Sequence, residues 1–435
     1  MIRSLSIFLL TLACLSQVVE ANPGKPVAVR WWGQGMVSIE TYWNLQVVID
    51  PFSMQIGYDD PQLSGDLVLV THEHRDHNNV ELVLGTPQVI RGLETDGSVR
   101  NVYHVLDRFP DEEHPSWRDA RLRIARTPHA IEVTCIPAWH DADEGRERGA
   151  TAMFLVEVDG VRIVHCGDLG QTRLTPEQIE VLGEIDLLLI PVGGKFTVDG
   201  QQAAGIVRQI KPRSVIPIHY KTPALTFDLK TAEPFIAALK TEYEVVRPVG
   251  NTFAIRSEDD QASTKRQLVV LQYQPWKMPP ELAELFARKE AANRASQQVF
   301  AALSANQMNH RPSDGTHTPR WNTEHMMGRE LGFFSEIYAE LDPAITTIDL
   351  NPAQMPPDYK AANPNWSGAE EARQMERTAA FTRRFSYLLD GLDLDQQAPG
   401  SRWTPRGLLE QMHRHYGEHT ANVKNKFDLP DWPQQ

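Results

Sequence analysis

Between residues 72 and 77 the chain sets out three imidazoles and a carboxylate, His72, His74, Asp76 and His77, within the stretch DLVLVTHEHRDHNN at 66–79. Imidazole nitrogen and carboxylate oxygen are donors that suit zinc, and iron or manganese accept the same set. Burying so many ionisable groups together without a cation is costly, so a self-satisfied core cluster explains the spacing poorly. The donors are close enough in sequence to serve two neighbouring cations. The apolar run ends at Val70, just before the first histidine. A strand there gives a rigid base, and the loop after it can curl its side chains around one point.

A second concentration lies near the other end, in WNTEHMMGRE at 321–330 and HRHYGEHTANV at 413–423. His415 and His419 are four residues apart, which puts them on one helix face a turn apart. His325 can join them from another helix. Three histidines hold zinc, nickel or iron and leave a position for water. His413 falls elsewhere on the helix and is a weaker candidate.

The first constellation resembles the metallo-β-lactamase fold superfamily over residues 27–256. The HxHxDH pattern is complete, and PAWHD, HCGDLG and IPIHY follow in order with His140, Asp168 and His219. LLLIPVGGKFTVDG and VIPIHYK are most similar to the lactonase-like and phospholipase D-like metal hydrolases. The resemblance implies one cation on His72, His74 and His140, a second on Asp76, His77 and His219, and Asp168 bridging both. Two zinc ions are implied, with iron or manganese as alternatives. A shared hydroxide would cleave a lactone, phosphoester or related ester-like bond, making Asp76 and Asp168 the catalytic candidates. The alternatives are an iron- or manganese-dependent oxidoreductase on the same fold and a noncatalytic metal-binding or interaction protein. Gln171 stands where many relatives carry histidine, and Gly33-Gln34-Gly35 where they often carry Gly-His. Both departures leave the ligand set intact and bear on the pocket or a supporting hydrogen bond. Lys195, Phe196 and Tyr220 are candidate substrate contacts, Lys195 for an anionic group, and Asp199 a candidate support for a ligand. His104, His114, His129 and His165 are not required by the pattern and read as surface, core or supporting residues.

The second constellation resembles the DinB-like metal-binding bundles over residues 278–428. That likeness implies the triad His325, His415 and His419 around one zinc, nickel or iron ion. A structural or vestigial site and a catalytic one both remain open, and no general base is identifiable.

The elements that must position these residues are legible as periodic runs. Strand-length apolar stretches occur at 66–70, 131–136, 151–158, 161–166, 186–190 and 214–218, and the broken apolar pattern at 27–50 predicts hairpin strands. Thr175, Pro176 and Gln178 predict a capped helix start, and GQQAAGIVRQIK predicts a second helix ending before Pro212. The expected fold is α/β, an αββα sandwich, followed by an all-α four-helix bundle. A polar connector spans 257–277, within which LVVLQY could add a strand. Ser367 with Glu370, and Thr404-Pro405, predict two helix starts in the bundle. The proline-rich link at 341–366 is expected to wrap the bundle surface. Met326 and Met327 read as bundle core and Trp321, Trp366 and Trp403 as aromatic anchors. EGRERGA at 144–150 reads as a solvated loop or a substrate-facing lid.

The 435 residues carry 57 acids against 43 bases, a formal charge of −14, which argues against a broad nucleic-acid surface but not against a small anionic substrate in a local pocket. Residues 1–21 read as a signal peptide cleaved near Ala21, so a periplasmic or extracellular protein is expected. Cys14 follows LLTLA, a poor lipoprotein signal, and no stable membrane insertion is expected. Cys135 and Cys166 could pair or remain buried thiols. Nothing in the sequence sets the oligomeric state.

Overall fold

The computed structural model describes residues 26–42, 44–100, 103–106, 131–257, 265–313, 315–352 and 359–434. The expected signal segment, with Cys14, lies outside them, as do His114 and His129.

Two sheets form the first half. The six-stranded sheet includes β1 (Val27–Gly33), β2 (Met36–Glu40), β3 (Gln46–Ile49), β4 (Leu67–Val70) and β5 (Gln88–Arg91), in that order. Its β1–β2–β3 meander is antiparallel, and β3, β4 and β5 run parallel. The eight-stranded sheet begins with the antiparallel β6 (Tyr103–Leu106), β7 (Ile131–Trp139), β8 (Ala150–Val158) and β9 (Val161–His165). It continues in parallel through β10 (Leu187–Pro191) and β11 (Ser214–Ile218). Strand β12 (Glu244–Val246) closes its far edge, and β13 (Thr252–Ile255) returns to pair with β1 in the first sheet.

Both faces of β3 and β4 are buried. Val47, Ile49, Leu67 and Leu69 join the main core, whereas Val48, Val68 and Val70 pack outward with Phe52, Ile56, Tyr58 and Leu225. That is why DLVLV reads as a continuous apolar run rather than an alternating one. Among the described residues, 3₁₀ turns at Met54–Ile56 and Val80–Leu82 contribute to this outer layer. On the other sheet, α1 (Pro176–Leu182), α2 (Gly200–Ile210) and α3 (Glu233–Leu239) bury Leu182, Val207 and Phe235 in the main core. Helix α1 begins with the expected capping box between Thr175 and Gln178.

The connector at 257–277 is not simply a tether. Within it β14 (Gln267–Val269) inserts in parallel between β11 and β12, with Leu268 and Val269 fully buried. The sandwich therefore extends past residue 256.

The second half is α4 (Pro280–Ala301), the short α5 (Ala305–Asn309), α6 (Pro319–Leu341), α7 (Gly368–Arg384) and α8 (Pro405–Lys424). The four long helices make the bundle, with α4 and α6 each packed against α7 and α8. Helices α6 and α7 are parallel. Arg320 pairs with Glu371 near their starts at 2.6 Å, and Tyr338 donates to the Thr382 carbonyl near their ends at 2.7 Å. Parallel neighbours require the chain to travel back the length of a helix, which accounts for the long proline-rich link. It returns along α6: the Ile348 amide donates to Ser335 Oγ, and the Ala362 amide to Glu324. The backbone of Asn351 lies so close to Gly328 that a Cβ there would come within 2.4 Å. In the bundle core, Lys289 and Thr382 donate to one Glu330 oxygen and Tyr416 to the other.

The bundle docks on the sandwich at the end of β2. Arg384 reaches Glu40 and the Thr41 carbonyl, and Phe381 meets Tyr42 edge-on at 5.7 Å. Ala28 and Ala254 join the bundle's apolar core. Cys135 and Cys166 are both buried and free, and burial pushes the Cys135 thiol up to about 12. No helix among the described residues is long and apolar enough to cross a membrane.

Candidate metal centres

The seven candidate ligands of the sandwich all follow the C-terminal ends of strands. His72, His74, Asp76 and His77 follow β4, His140 follows β7, Asp168 follows β9, and His219 follows β11. The fold brings all seven together as two groups that share Asp168. In the first, His72 Nε2 is 3.0 Å from His74 Nδ1, and His140 Nε2 is 3.2 Å from that same atom. Asp168 Oδ2 is 3.3 Å from His140 Nε2. In the second, Asp168 Oδ1 lies 3.2 Å from both His77 Nε2 and His219 Nε2, and Asp76 Oδ2 lies 3.4 Å from His77 Nε2. Donors around one zinc at its usual bond lengths sit roughly 3.3 Å apart, so these spacings fit ligands converging on a cation. His77 Nε2 and Asp168 Oδ1 are buried without a hydrogen-bond partner, which a shared cation would relieve.

The electrostatics agree. Burial alone would raise the Asp168 carboxyl, but His219 and His77 hold it well below its usual range. Burial would lower His77, yet Asp168, Asp76 and Asp50 push it well above. These carboxylates demand positive charge, and in a metal-free chain a proton on His77 supplies it. Burial, with His77 next, keeps His72 neutral and able to donate its lone pair.

Asp50 is the residue that sequence reasoning missed. It ends the run QVVID in a left-handed conformation, φ 52°. Its Oδ2 accepts from His77 Nδ1 at 2.9 Å and from Thr71 Oγ1 at 2.7 Å, and Thr71 Oγ1 in turn accepts from His72 Nδ1 at 2.9 Å. One carboxylate thus orients a histidine in each group, leaving Nε2 of both facing inward. The Phe196 carbonyl does the same for His140, 3.1 Å from its Nδ1. Gln34, buried and with φ 48°, donates to Asp76 Oδ2 at 2.9 Å and lies 2.6 Å from His219 Nε2. His165 supports the same turn, donating to the Gly35 carbonyl at 2.7 Å.

The remaining sequence candidates divide. Lys195 is exposed, with its Nζ 5.5 Å from the Phe196 ring centroid, and Phe196 is half-buried. Both sit on the loop that touches His140. Tyr220, the third candidate contact, packs into the core beside the centre. It is buried, stacks on Trp31 at 4.8 Å and faces the Leu271 carbonyl, because neighbouring side chains at a strand end leave on opposite sides. Asp199 supports no ligand; it caps α2 and pairs with Lys230. Gln171 is buried against Gln178 and the Trp139 amide. At 144–150 the arginines pair with neighbouring acids in an exposed loop, whose base is held by four backbone amides on Asp141.

In the bundle, His325, His415 and His419 also converge. His325 Nδ1 donates to Asn351 Oδ1 at 2.8 Å and His419 Nδ1 to Asn322 Oδ1 at 2.7 Å, which turns each Nε2 inward. Neither asparagine was singled out from the sequence. Burial, followed by mutual repulsion and Arg329, lowers His415 to about 3, and burial with Arg329 lowers His325 to about 4. Burial also lowers His419, again to about 4. All three rings are neutral at physiological pH and available as ligands.

This fold and this pair of sites define a metallo-β-lactamase-type domain joined to a DinB-like bundle. Residues 28–219 match the β-lactamase superfamily domain and residues 289–423 the DinB superfamily. A UPF0173 metal-dependent hydrolase of Pyrococcus furiosus is 31% identical over 229 residues, covering 51% of this chain and 97% of that protein. One from Thermococcus onnurineus is 29% identical over 230 residues, with the same coverage of 51% and 97%. Among solved structures, a proposed zinc-dependent hydrolase of the metallo-β-lactamase superfamily from Thermotoga maritima shares 27% identity. It covers 56% of this chain and 98% of that one, with a TM-score of 0.39. The chain belongs to the UPF0173 metal-dependent hydrolase family.

Proposed function

We propose that the sandwich domain is a metal-dependent hydrolase that cleaves an ester-like bond, a lactone or phosphoester foremost, in a small molecule. The observation that carries this reading is the Asp168 carboxylate, whose two oxygens face two separate groups of histidines. Membership of a family named for metal-dependent hydrolysis supports it.

In this reading His72, His74 and His140 hold one cation, Asp76, His77 and His219 the other, and Asp168 holds both. When bound, such a pair supplies an activated water and polarises the scissile group. The protein's own part is positional. Asp50 fixes the rings of His72 and His77, and the Phe196 carbonyl fixes His140. Asp76, itself held by Gln34, presents its carboxylate to orient the attacking water. His74 is the exposed member of the set and marks the open face through which substrate arrives. Lys195 offers positive charge at the rim for an anionic substituent. Zinc fits the nitrogen-rich donor set best, and iron or manganese are the alternatives.

The test is metal analysis of the purified chain followed by lactone, phosphodiester and amide screens, each with Asp168→Ala as control. Two metals in the sandwich and a hydrolysis lost in Asp168→Ala are expected. Hydrolysis that survives this substitution with metal content unchanged would sink the proposal.

A further inference from the structure

The bundle triad differs from the sandwich centre in one respect that bears on its ligand: charge. The sandwich groups include Asp76 and Asp168, whereas the bundle group consists of imidazoles alone. Of the carboxylates nearby in sequence, Glu418 is exposed and outside the group, and Glu324 and Glu330 are committed elsewhere. Glu324 accepts from Tyr359 and the Ala362 amide, and Glu330 from Lys289, Thr382 and Tyr416. A divalent cation on His325, His415 and His419 would keep its full charge.

A further cation stands next to it. Trp321, His325, Arg329 and Phe333 follow one another at four-residue intervals along one stripe of α6. Arg329 is half-buried, and among the described residues it makes no hydrogen bond or ion pair; its guanidinium lies over the Phe333 ring, 5.6 Å from the centroid. It is close enough to His325 and His415 to depress the proton affinity of both. On the other side of His325, Trp321 stacks against the ring at 4.5 Å, and His317 meets Trp321 edge-on at 3.7 Å. The site thus has three neutral donors, a flat aromatic wall and an uncommitted guanidinium one helical turn from a ligand.

We propose that this site is a receptor for a small carboxylate, held between a cation on His325, His415 and His419 and the guanidinium of Arg329. The inference rests on reading those three histidines as a metal site. Three protein ligands leave a coordination position for an external group. An anion there offsets the uncompensated charge, and the planar fork of arginine matches a carboxylate with two parallel N–H donors.

The experiment uses the full chain loaded with cobalt(II), whose visible absorption reports coordination. The component lost in the double variant His325→Ala/His419→Ala belongs to the bundle. Titration with acetate is expected to shift that component saturably. Arg329→Gln is expected to leave cobalt stoichiometry unchanged and weaken acetate binding about tenfold, the scale of one lost charge-assisted contact. Arg329→Lys should restore part of it, because it keeps the charge and loses the fork. An acetate affinity unchanged in Arg329→Gln overturns the inference while leaving the metal site standing. An equal response to chloride overturns the choice of a carboxylate. If no cobalt component depends on His325 and His419, the metal reading falls and the receptor with it.

Discussion

Arg384, the last residue of α7, donates at 2.6 Å to Glu40 at the end of β2, and Arg30 takes the other Glu40 oxygen at the same distance. Burial would raise the Glu40 carboxyl, but Arg384 and then Arg30 hold it below its ordinary range. This pair ties bundle to sandwich. Arg384→Ala leaves Glu40 to Arg30 alone, so the cost should fall below the about 3–5 kcal/mol of stripping a buried charge of its only partner. Thermal unfolding should shift downward or split into two steps, with the metal content of both centres unchanged at low temperature. A single transition at the wild-type temperature would show that the apolar contacts of Phe381 and Tyr42 suffice.

Asp50 should matter as much as some ligands. Asp50→Asn keeps the shape and removes the charge that orients His77 and, through Thr71, His72. Loss of such a supporting partner typically weakens metal affinity 10–100-fold. Competition with a chelator would measure this; the bundle site provides an internal control that should not move.

Gly35→Ala tests the closeness of the first hairpin to the centre. A Cβ at Gly35 would lie 2.8 Å from His77 Cε1, under any ordinary contact distance. His77 is fully buried and cannot yield freely. We expect loss of metal from the sandwich and of hydrolysis with it, while the bundle retains its ion. Full metal occupancy in this variant would mean that the hairpin backs away at little cost.

The metal-free bundle should be acid-sensitive. His325 and His419 are lowered to about 4 and His415 to about 3, against an ordinary value of 6.5. Below 6.5 the unfolded chain takes up protons that the folded one still refuses, so stability present above pH 6.5 falls as the pH drops toward 4 and then 3. Unfolding of metal-free protein between pH 7 and 4 would follow this. His415→Gln should flatten the dependence; a wild-type slope in that variant would assign it to other groups.

The signal-peptide reading of residues 1–21 has a simple chemical test. Sequencing the mature N-terminus is expected to find Asn22. Active protein that retains Met1 would count against processing.

The compact HxHxDH cluster was legible because its donors are neighbours in sequence. His140, Asp168 and His219 are separated by long stretches, so only family resemblance joined them, and the fold brings them to the same point. The supporting groups left weaker traces. Asp50 sits as one acid at a strand end, Gln34 as one residue between glycines, and Asn351 in a proline-rich link far from His325. Their roles come from tertiary contacts that local pattern does not encode. Strand β14 was hard to place because three residues set in a polar segment gain their strand character from β11 and β12. The parallel course of α6 and α7 left a clue only in the length of the link between them.

The bundle attaches at Glu40, the far end of β2 from Gln34, so the junction and the sandwich centre lie at opposite ends of one short strand. The rise of β2 is roughly 13 Å, and the stretch of α6 from Tyr338 back to His325 is roughly 20 Å. Joined in one chain, the two domains are made in equal dosage, and the Glu40 junction fixes how one is carried on the other.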